Sequence, residues 1–419
     1  MSLIFHRGVR LLRLKEPTIF RPIAVVNHIS KAMIPFAEAE DTTRLASKQK
    51  GEPVAMGETL AADQKAPFSS IASVSGVFDG TIEGYHPLYG RIRYGVIANP
   101  AVSFPQIVPH EVGEPAPGNI IEMARTAGII DEIDGVPLYE KLMQWKQSSC
   151  NFVVADAVEA QPYASSAYCL LRDCPEDVQI GLHLIARAVS ASGFHIAVQL
   201  PYSLRRPLVE RLGQGQVFQV RSKYPVERYT KAADDVAVGR VGAQACYALY
   251  RAVACGEKHH DAIVTVAGSA VSTPQNVRVP FGTPVKDLLQ LCGLSQNPSH
   301  VILGDAMTGV TTQSLDVPIL PGITCVLALS SRPVPKLHSC IGCGRCVKHC
   351  HKDLMPCEII RRFENMHYES IGALNADQCD GCGVCSYVCP SGIDVAAMVT
   401  ESGVSRGQIF LNWGDEDDT

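Results

Sequence analysis

The chain contains no run of 18 or more apolar residues, so none of its 419 residues reads as part of a membrane-spanning helix. Any membrane contact would have to pass through a partner, as peripheral docking. A basic excess is also missing. The 37 Lys and Arg stand against 42 Asp and Glu, a formal net charge of -5, and nucleic acid is excluded as a partner because it needs a positive footprint. The opening MSLIFHRGVRLLRLK spreads its basic residues among apolar ones and has no small-residue cleavage site. It does not read as a signal peptide, and a cytoplasmic location is expected. The length argues for several domains, and the balance of apolar and charged residues is that of a folded globular chain.

What the chain has in excess is cysteine. Nine of its sixteen cysteines fall between Cys340 and Cys389, and the other seven are scattered through apolar surroundings. Secreted disulfide scaffolds are short and loop-rich, which this chain is not. The scattered set reads as core thiols and the clustered set as metal ligands in a reducing compartment.

Residues 1–32 form an N-terminal lead. Between 33 and 100, short apolar stretches alternate with turn residues (GEPVAMGETLAA, SVSGVFDGTIEGY, YGRIRYGVIAN), the pattern of a small all-β module. Its phrases around Gly57 and Gly76 resemble the barrel-sandwich hybrid of lipoyl-like domains, but the turn that would present a lysine has none. From 101 to 257, strands such as CNFVVADAV and FHIAVQLP alternate with helices such as VQIGLHLIARAVSASG, which indicates an α/β layer. Residues 258–330 surround one helix, TPVKDLLQLCG, with strands, as in a β-grasp unit. Thr283 is expected to cap that helix and Pro284 to open it. A stiff SSRPVP segment leads into 336–400, and 401–419 form an acidic tail. The fold class is thus multidomain α+β.

The ligand candidates repeat one spacing. Cys340, Cys343, Cys346 and Cys350 form C-x2-C-x2-C-x3-C, and Cys379, Cys382, Cys385 and Cys389 form it again. This is the run of two-cluster ferredoxins. Three thiolates at that spacing fold around three corners of a cube and the fourth comes from elsewhere, so crossed pairing is expected. Cys340, Cys343, Cys346 and Cys389 would hold one 4Fe-4S cluster, and Cys379, Cys382, Cys385 and Cys350 the other. Zinc is the alternative, but a four-thiolate site does not need eight regularly spaced cysteines. Gly342, Gly344, Gly381 and Gly383 would let backbone amides approach the sulfides. His349 and His351 read as imidazoles beside a complete thiolate set. Cys357 is surplus and reads as packing, with a ligand switch as the alternative. The stretch between the two runs reads as helix, with Ile359, Ile360 and Phe363 on its apolar face, so this is a helical two-cluster ferredoxin domain.

In this order the modules resemble the C subunit of Rnf-type electron transport complexes, from about Met33 to Val395. The resemblance rests on the cysteine run, on VTVAGSAVSTPQNVRVPFGTPVKDLL and SLDVPILPG in the β-grasp unit, on SKYP at Ser222 to Pro225, and on AGII through VPLYEKL at Ala127 to Leu142. It implies that the β-grasp unit is SLBB-like. It implies also that the α/β domain is like the flavin-binding subunit of respiratory NADH dehydrogenases, holding FMN on a glycine-rich loop with NADH stacked on the flavin. Glu159, Tyr163 and Gly135 would be remnants of that flavin and NADH site. Where the family loop reads AGIVGMGGAGFPTHVKL, this chain has AGIIDEIDGVPLYEKL, with Asp131, Glu132 and Asp134 in place of glycines. NGAECEPY has become DAVEAQPY, and KYPQGGEK has become KYPVERYT. Glycines are needed where backbone amides close on a phosphate, and carboxylates there would repel it. Tight binding of FMN, and of NAD with it, is not expected.

The chain therefore reads as an electron carrier subunit of an oxidoreductase complex rather than a stand-alone enzyme. It would pass single electrons between a flavoprotein or ferredoxin donor and an acceptor subunit. The alternatives are an FMN-dependent NADH:ferredoxin-type oxidoreductase subunit with an altered nucleotide site, and a structural or sensor subunit whose clusters only brace the domain.

Overall fold

The computed structural model describes residues 7–38, 45–61, 70–104, 115–221, 223–226, 238–294, 298–331 and 338–402. Most of the SSRPVP segment, nearly all of the acidic tail and residues 227–230 of KYPVERYT lie outside the described residues. The chain divides into two compact units: Arg13–Arg221 with Glu227–Ser331, and Met1–Leu12 with Ser222–Val226 and Arg332–Thr419.

The larger unit contains three sheets. The first is antiparallel, with strands Lys31–Glu38, Gly90–Ala101, Ser75–His86 and Pro53–Val54 in that spatial order. Both glycines that marked turns in the sequence have structural reasons. Gly57 sits at φ +82°, and a side chain at Gly76 would come within 2.5 Å of Ile97 Cγ2 and 2.7 Å of the Ala98 carbonyl oxygen.

The second sheet is all parallel, in the order Val217–Gln219, Gly193–Val198, Phe152–Ala157, Val238–Gly242. Its central strand is buried from Val153 to Ala157, as a strand covered on both faces must be. Helices Pro117–Thr126, Leu138–Gln147, Pro175–Val189 and Ala243–Cys255 bury Ile120, Leu142, Leu182, Ile185 and Leu249 in the core they share with it. The chain leaves Phe152–Ala157 towards Gly193–Val198 on one side, while Val238–Gly242 pairs on the other. The carboxyl ends of those strands therefore border a crevice, where open α/β sheets bind ligands.

The third sheet is mixed, with strands Ala24–Val25, Gln275–Pro280, Asp261–Ala267, Cys325–Leu329, His300–Leu303 and Val310–Thr312 in spatial order. Residues 24 and 25, which the sequence places in a lead, form its edge by pairing parallel to Val277 and Arg278. Helix Val285–Leu291 packs Val285, Leu288 and Leu289 into a core that continues into the first sheet through Ile34, Leu60 and Ile97. Thr283 does not cap this helix. Its hydroxyl turns back to donate to the Pro280 carbonyl at 2.7 Å, and Pro284 holds the cap position.

The smaller unit is helical, with short helices Arg345–His349, Pro356–Glu364, Tyr368–Ile371 and Val384–Tyr387 around Ile359, Ile371, Val395 and Val399. Two distant segments complete it. The Gly8 amide donates to the His349 carbonyl at 3.0 Å, and Val9 and Tyr224 exchange backbone hydrogen bonds at 2.8 and 2.9 Å. The Tyr224–Pro225 peptide is cis.

One close approach in the parallel layer is testable. A Cβ at Gly181, in helix Pro175–Val189, would lie 1.9 Å from the Cys246 carbonyl oxygen of helix Ala243–Cys255. Since that atom is backbone, Gly181→Ala has to push two helices apart, and overpacking of this kind costs about 1–3 kcal/mol. Thermal unfolding of the variant is expected at a lower midpoint than wild type, and an unchanged midpoint would contradict the packing.

Candidate metal centre

The two cysteine runs fold alike because they share a backbone device. Gly342 and Gly344 in the first run, and Gly381 and Gly383 in the second, all take left-handed conformations, with φ of +66°, +66°, +66° and +77°. Only glycine holds such angles without strain. Gly344 and Gly383 then start the short helices that carry Cys346 and Cys385. The sequence pointed to these glycines as small. The structure adds that they are conformationally required.

Cys350, Cys379, Cys382 and Cys385 line one small cavity, walled on its apolar side by Leu354, Val384, Ala396 and Val399. Cys346 and Cys389 pack against the same small core, while Cys340 and Cys343 are exposed. A zinc ion would draw its ligand atoms to within about 4 Å of one another, given bonds of about 2.0–2.3 Å. Among the described residues only His351, Asp380 and Cys382 bring three ligand atoms within 4.8 Å, and no three thiols do so. Thiols that line one cavity without converging on a point are spread as the four corners of a 4Fe-4S cluster require, and not as four thiolates on one zinc ion.

Burial raises the thiols of Cys382 and Cys385 to about 12, and burial together with neighbouring Cys357 raises that of Cys346 to about 11. Without iron these sulfurs stay protonated, and metal binding displaces the protons. Both histidines have protein partners. His349 Nδ1 lies 2.9 Å from the Arg345 carbonyl, and His351 Nε2 lies 2.8 Å from Asp380 Oδ2. Two further supports were not legible in the sequence. The Tyr224 hydroxyl donates to the Cys382 carbonyl at 2.8 Å, and Arg7 donates to the Cys350 carbonyl at 3.1 Å while pairing with Asp353. The SKYP phrase was the signal for Tyr224, but nothing in it said that it would reach a cysteine loop 158 residues on.

A second pocket, of about 320 Å³, lies at the carboxyl end of the parallel sheet, lined among others by Glu132, Asp156, Glu159, Asp305 and Arg240. Of Gly135, Glu159 and Tyr163, only Glu159 lines it. Gly135, at φ +71°, closes a turn by donating its amide to the Asp131 carbonyl at 2.9 Å. Tyr163 packs beside Ala164, Ala267 and Leu327, and its amide donates to the Arg13 carbonyl at 2.9 Å.

The carboxylates of the DEID stretch do not act alike. Asp131 is fully buried, bound to Lys141 at 2.5 Å, and accepts from the Gly242 amide at 3.0 Å. Asp134 accepts a second hydrogen bond from Lys141 at 2.7 Å. Glu132 accepts from the Gln244 and Ala245 amides at 2.7 and 3.0 Å. Burial, then the Asp131 charge, raises Glu132 to about 8, although those amides pull it down. Asp305 is likewise raised by burial, to about 6. No glycine cradle for a phosphate remains in this loop, so its residues do not fit FMN held in the family manner.

Comparison with known proteins bears on both regions. Residues 339–393 match the 4Fe-4S dicluster domain family, and residues 263–311 match the SLBB domain family. The chain is 26% identical over 378 residues to the C subunit of the proton-translocating ferredoxin:NAD(+) oxidoreductase complex of Clostridium ljungdahlii, covering 84% of this chain and 82% of that protein. It is 27% identical over 403 residues to the Na(+)-translocating counterpart of Acetobacterium woodii, covering 89% and 90%. The C subunit of the ion-translocating oxidoreductase complex of Rhodobacter capsulatus is 28% identical over 271 residues, and there the match spans about half of the relative, 52%, and 59% of this chain. A crystal structure of an NAD+-reducing NiFe-hydrogenase in the air-oxidized state overlaps with TM-score 0.48 at 14% identity, covering 69% of this chain and 63% of that one. The chain is thus similar to the C subunits of Rnf-type complexes over much of its length, and its redox end carries two 4Fe-4S clusters.

Two measurements test the electrostatics. In the folded, cluster-free chain, exposed Cys340 and Cys343 should react with iodoacetamide at about pH 8 at least about tenfold faster than Cys382 and Cys385. Equal rates, read by peptide mass spectrometry, would contradict the burial pattern. For Glu132, a folded pKa above the ordinary 4.5 means that the native state binds the extra proton. Its contribution to stability is present below about pH 4.5 and is lost as pH rises through about 8. Wild type should lose stability relative to Glu132→Gln across that window in chemical denaturation, and a parallel pair of pH profiles would refute the assignment.

Proposed function

We propose that this chain, similar over much of its length to C subunits of Rnf-type complexes, is an iron-sulfur electron-transfer subunit that passes single electrons between partner redox proteins. The observation that carries the reading is the doubled C-x2-C-x2-C-x3-C run inside a dicluster match, with Cys350, Cys379, Cys382 and Cys385 around one cavity. In the ligand sets we favour, these four hold one cluster and Cys340, Cys343, Cys346 and Cys389 hold the other. Each cluster, when bound, takes up and releases one electron at a time. The chain's own contribution is to hold eight thiolates on glycine turns, to brace Cys382 and Cys350 through Tyr224 and Arg7, and to wall one site with apolar side chains that keep water out.

Exposed Cys340 and Cys343 make the first run the point where a partner's electron would arrive or leave. Among the described residues no helix is long and apolar enough to cross a membrane. The relatives' names place them in ion-translocating complexes, and we place this chain on such a complex as a peripheral subunit on its cytoplasmic side. The domain boundaries given above, the barrel-sandwich reading of residues 33–100 and the use of that module and the β-grasp unit as docking surfaces belong to the same proposal.

Anaerobic purification with iron, sulfide and flavin analysis, followed by titration with dithionite and with NADH, tests the reading. About eight iron and eight sulfide per chain are expected, bleached by dithionite and not by NADH alone. About one FMN per chain with reduction by NADH would establish a flavin-dependent oxidoreductase instead. Clusters that cannot be reversibly reduced would leave only a structural role.

A further inference from the structure

An open α/β sheet ordinarily receives a nucleotide in the crevice at the carboxyl ends of its strands, with the phosphate against the amides that begin a helix. Here those amides already have an acceptor. Strand Val238–Gly242 runs directly into helix Ala243–Cys255, and the first free amides of that helix, Gln244 and Ala245, donate to the two oxygens of Glu132. The contact is close. A Cβ at Gly242 would fall 2.0 to 2.2 Å from the Glu132 carboxylate atoms, so the glycine that ends the strand is what admits the carboxylate.

The surrounding groups hold this arrangement in place. Glu132 sits on a turn closed by the Gly135 amide to the Asp131 carbonyl at 2.9 Å and the Asp131 amide to the Val136 carbonyl at 3.0 Å. Asp131 takes the Gly242 amide, and the buried ammonium of Lys141 is bound by Asp131 and Asp134. A second helix start on the same pocket is treated alike. Glu159 accepts from the Ala167 and Tyr168 amides at 2.8 and 3.2 Å, where helix Ser166–Asp173 begins. Arg240 is paired with Asp156. The Gln244, Ala245, Ala167 and Tyr168 amides and the Arg240 side chain are thus each satisfied by an acidic side chain of the chain itself.

We propose that Glu132 is an internal ligand that occupies the anion position at the start of helix Ala243–Cys255, so that the pocket refuses a phosphorylated flavin or nicotinamide nucleotide. Removing that one side chain uncovers the amides and restores affinity for phosphate. The proposal does not depend on the cluster assignment, because iron content and dithionite reduction are indifferent to it.

The test uses the full chain with its clusters and measures FMN and riboflavin binding by equilibrium dialysis for wild type, Glu132→Ala and Glu132→Gln. Wild type should bind FMN no more tightly than riboflavin. Glu132→Ala should bind FMN at least about tenfold more tightly than wild type with riboflavin unchanged, because only the phosphate meets the vacated amides. Glu132→Gln, which fills the same space, should stay near wild type. A wild-type preference for FMN, or a folded Glu132→Ala protein that gains nothing, overturns the proposal. So does a gain in Glu132→Gln equal to that in Glu132→Ala, which would assign the exclusion to charge rather than occupation. Should Glu132→Ala fail to fold, the wild-type ratio of FMN to riboflavin and the Gln variant decide between the same outcomes.

Discussion

Left-handed backbone at four glycines is the constraint on which the redox end of this protein depends. Gly342, Gly344, Gly381 and Gly383 turn each cysteine run back on itself and then launch the short helix that carries its third cysteine. Any other residue would hold those angles under strain. From that geometry follow the exposure of Cys340 and Cys343, the burial of Cys385 and the cavity that Cys350 shares with the second run. Raised thiol pKa values belong to the same picture, since sulfurs held in an apolar pocket give up their protons to iron rather than to water.

In the parallel layer, the helix-start amides that border the crevice are filled from within. A parallel sheet, a crevice at its carboxyl edge and helices starting there are all present. Yet the helix-start amides bind Glu132 and Glu159, and Lys141 is held between Asp131 and Asp134. Simple repulsion of a phosphate by three carboxylates, the expectation from the letters alone, describes this only in part. Two of the three are bound to one lysine, and the third works by occupying the amides.

Much of this was legible in the sequence because the relevant signals are local. Spacing named the cofactor: eight cysteines at x2 and x3 intervals admit few interpretations, and the dicluster match over 339–393 agrees. Apolar period change marked the parallel layer, where strand Phe152–Ala157 lies within the stretch read as a strand and strand Gly193–Val198 overlaps its own from Phe194 on. Order of modules pointed to the C subunits of Rnf-type complexes, and relatives of that description match 84% and 89% of the chain. Where prediction slipped, the cause was a local rule with two outcomes. Thr283 before a proline can cap a helix or turn back on the preceding strand, and its hydroxyl does the second.

Sequence alone determined the cofactor, the mixed α/β character of the chain and the absence of a glycine-rich loop at Asp131 to Asp134, since each depends on residue type and spacing within a few dozen positions. Tertiary structure alone decided which groups meet across long separations. Residues 7–9 and 223–226 join the cysteine domain, Tyr224 reaches Cys382, and Glu132 reaches a helix 112 residues further on. The physical reason is that a hydrogen bond needs a donor and an acceptor about 3 Å apart in space, and separation along the chain says nothing about that distance.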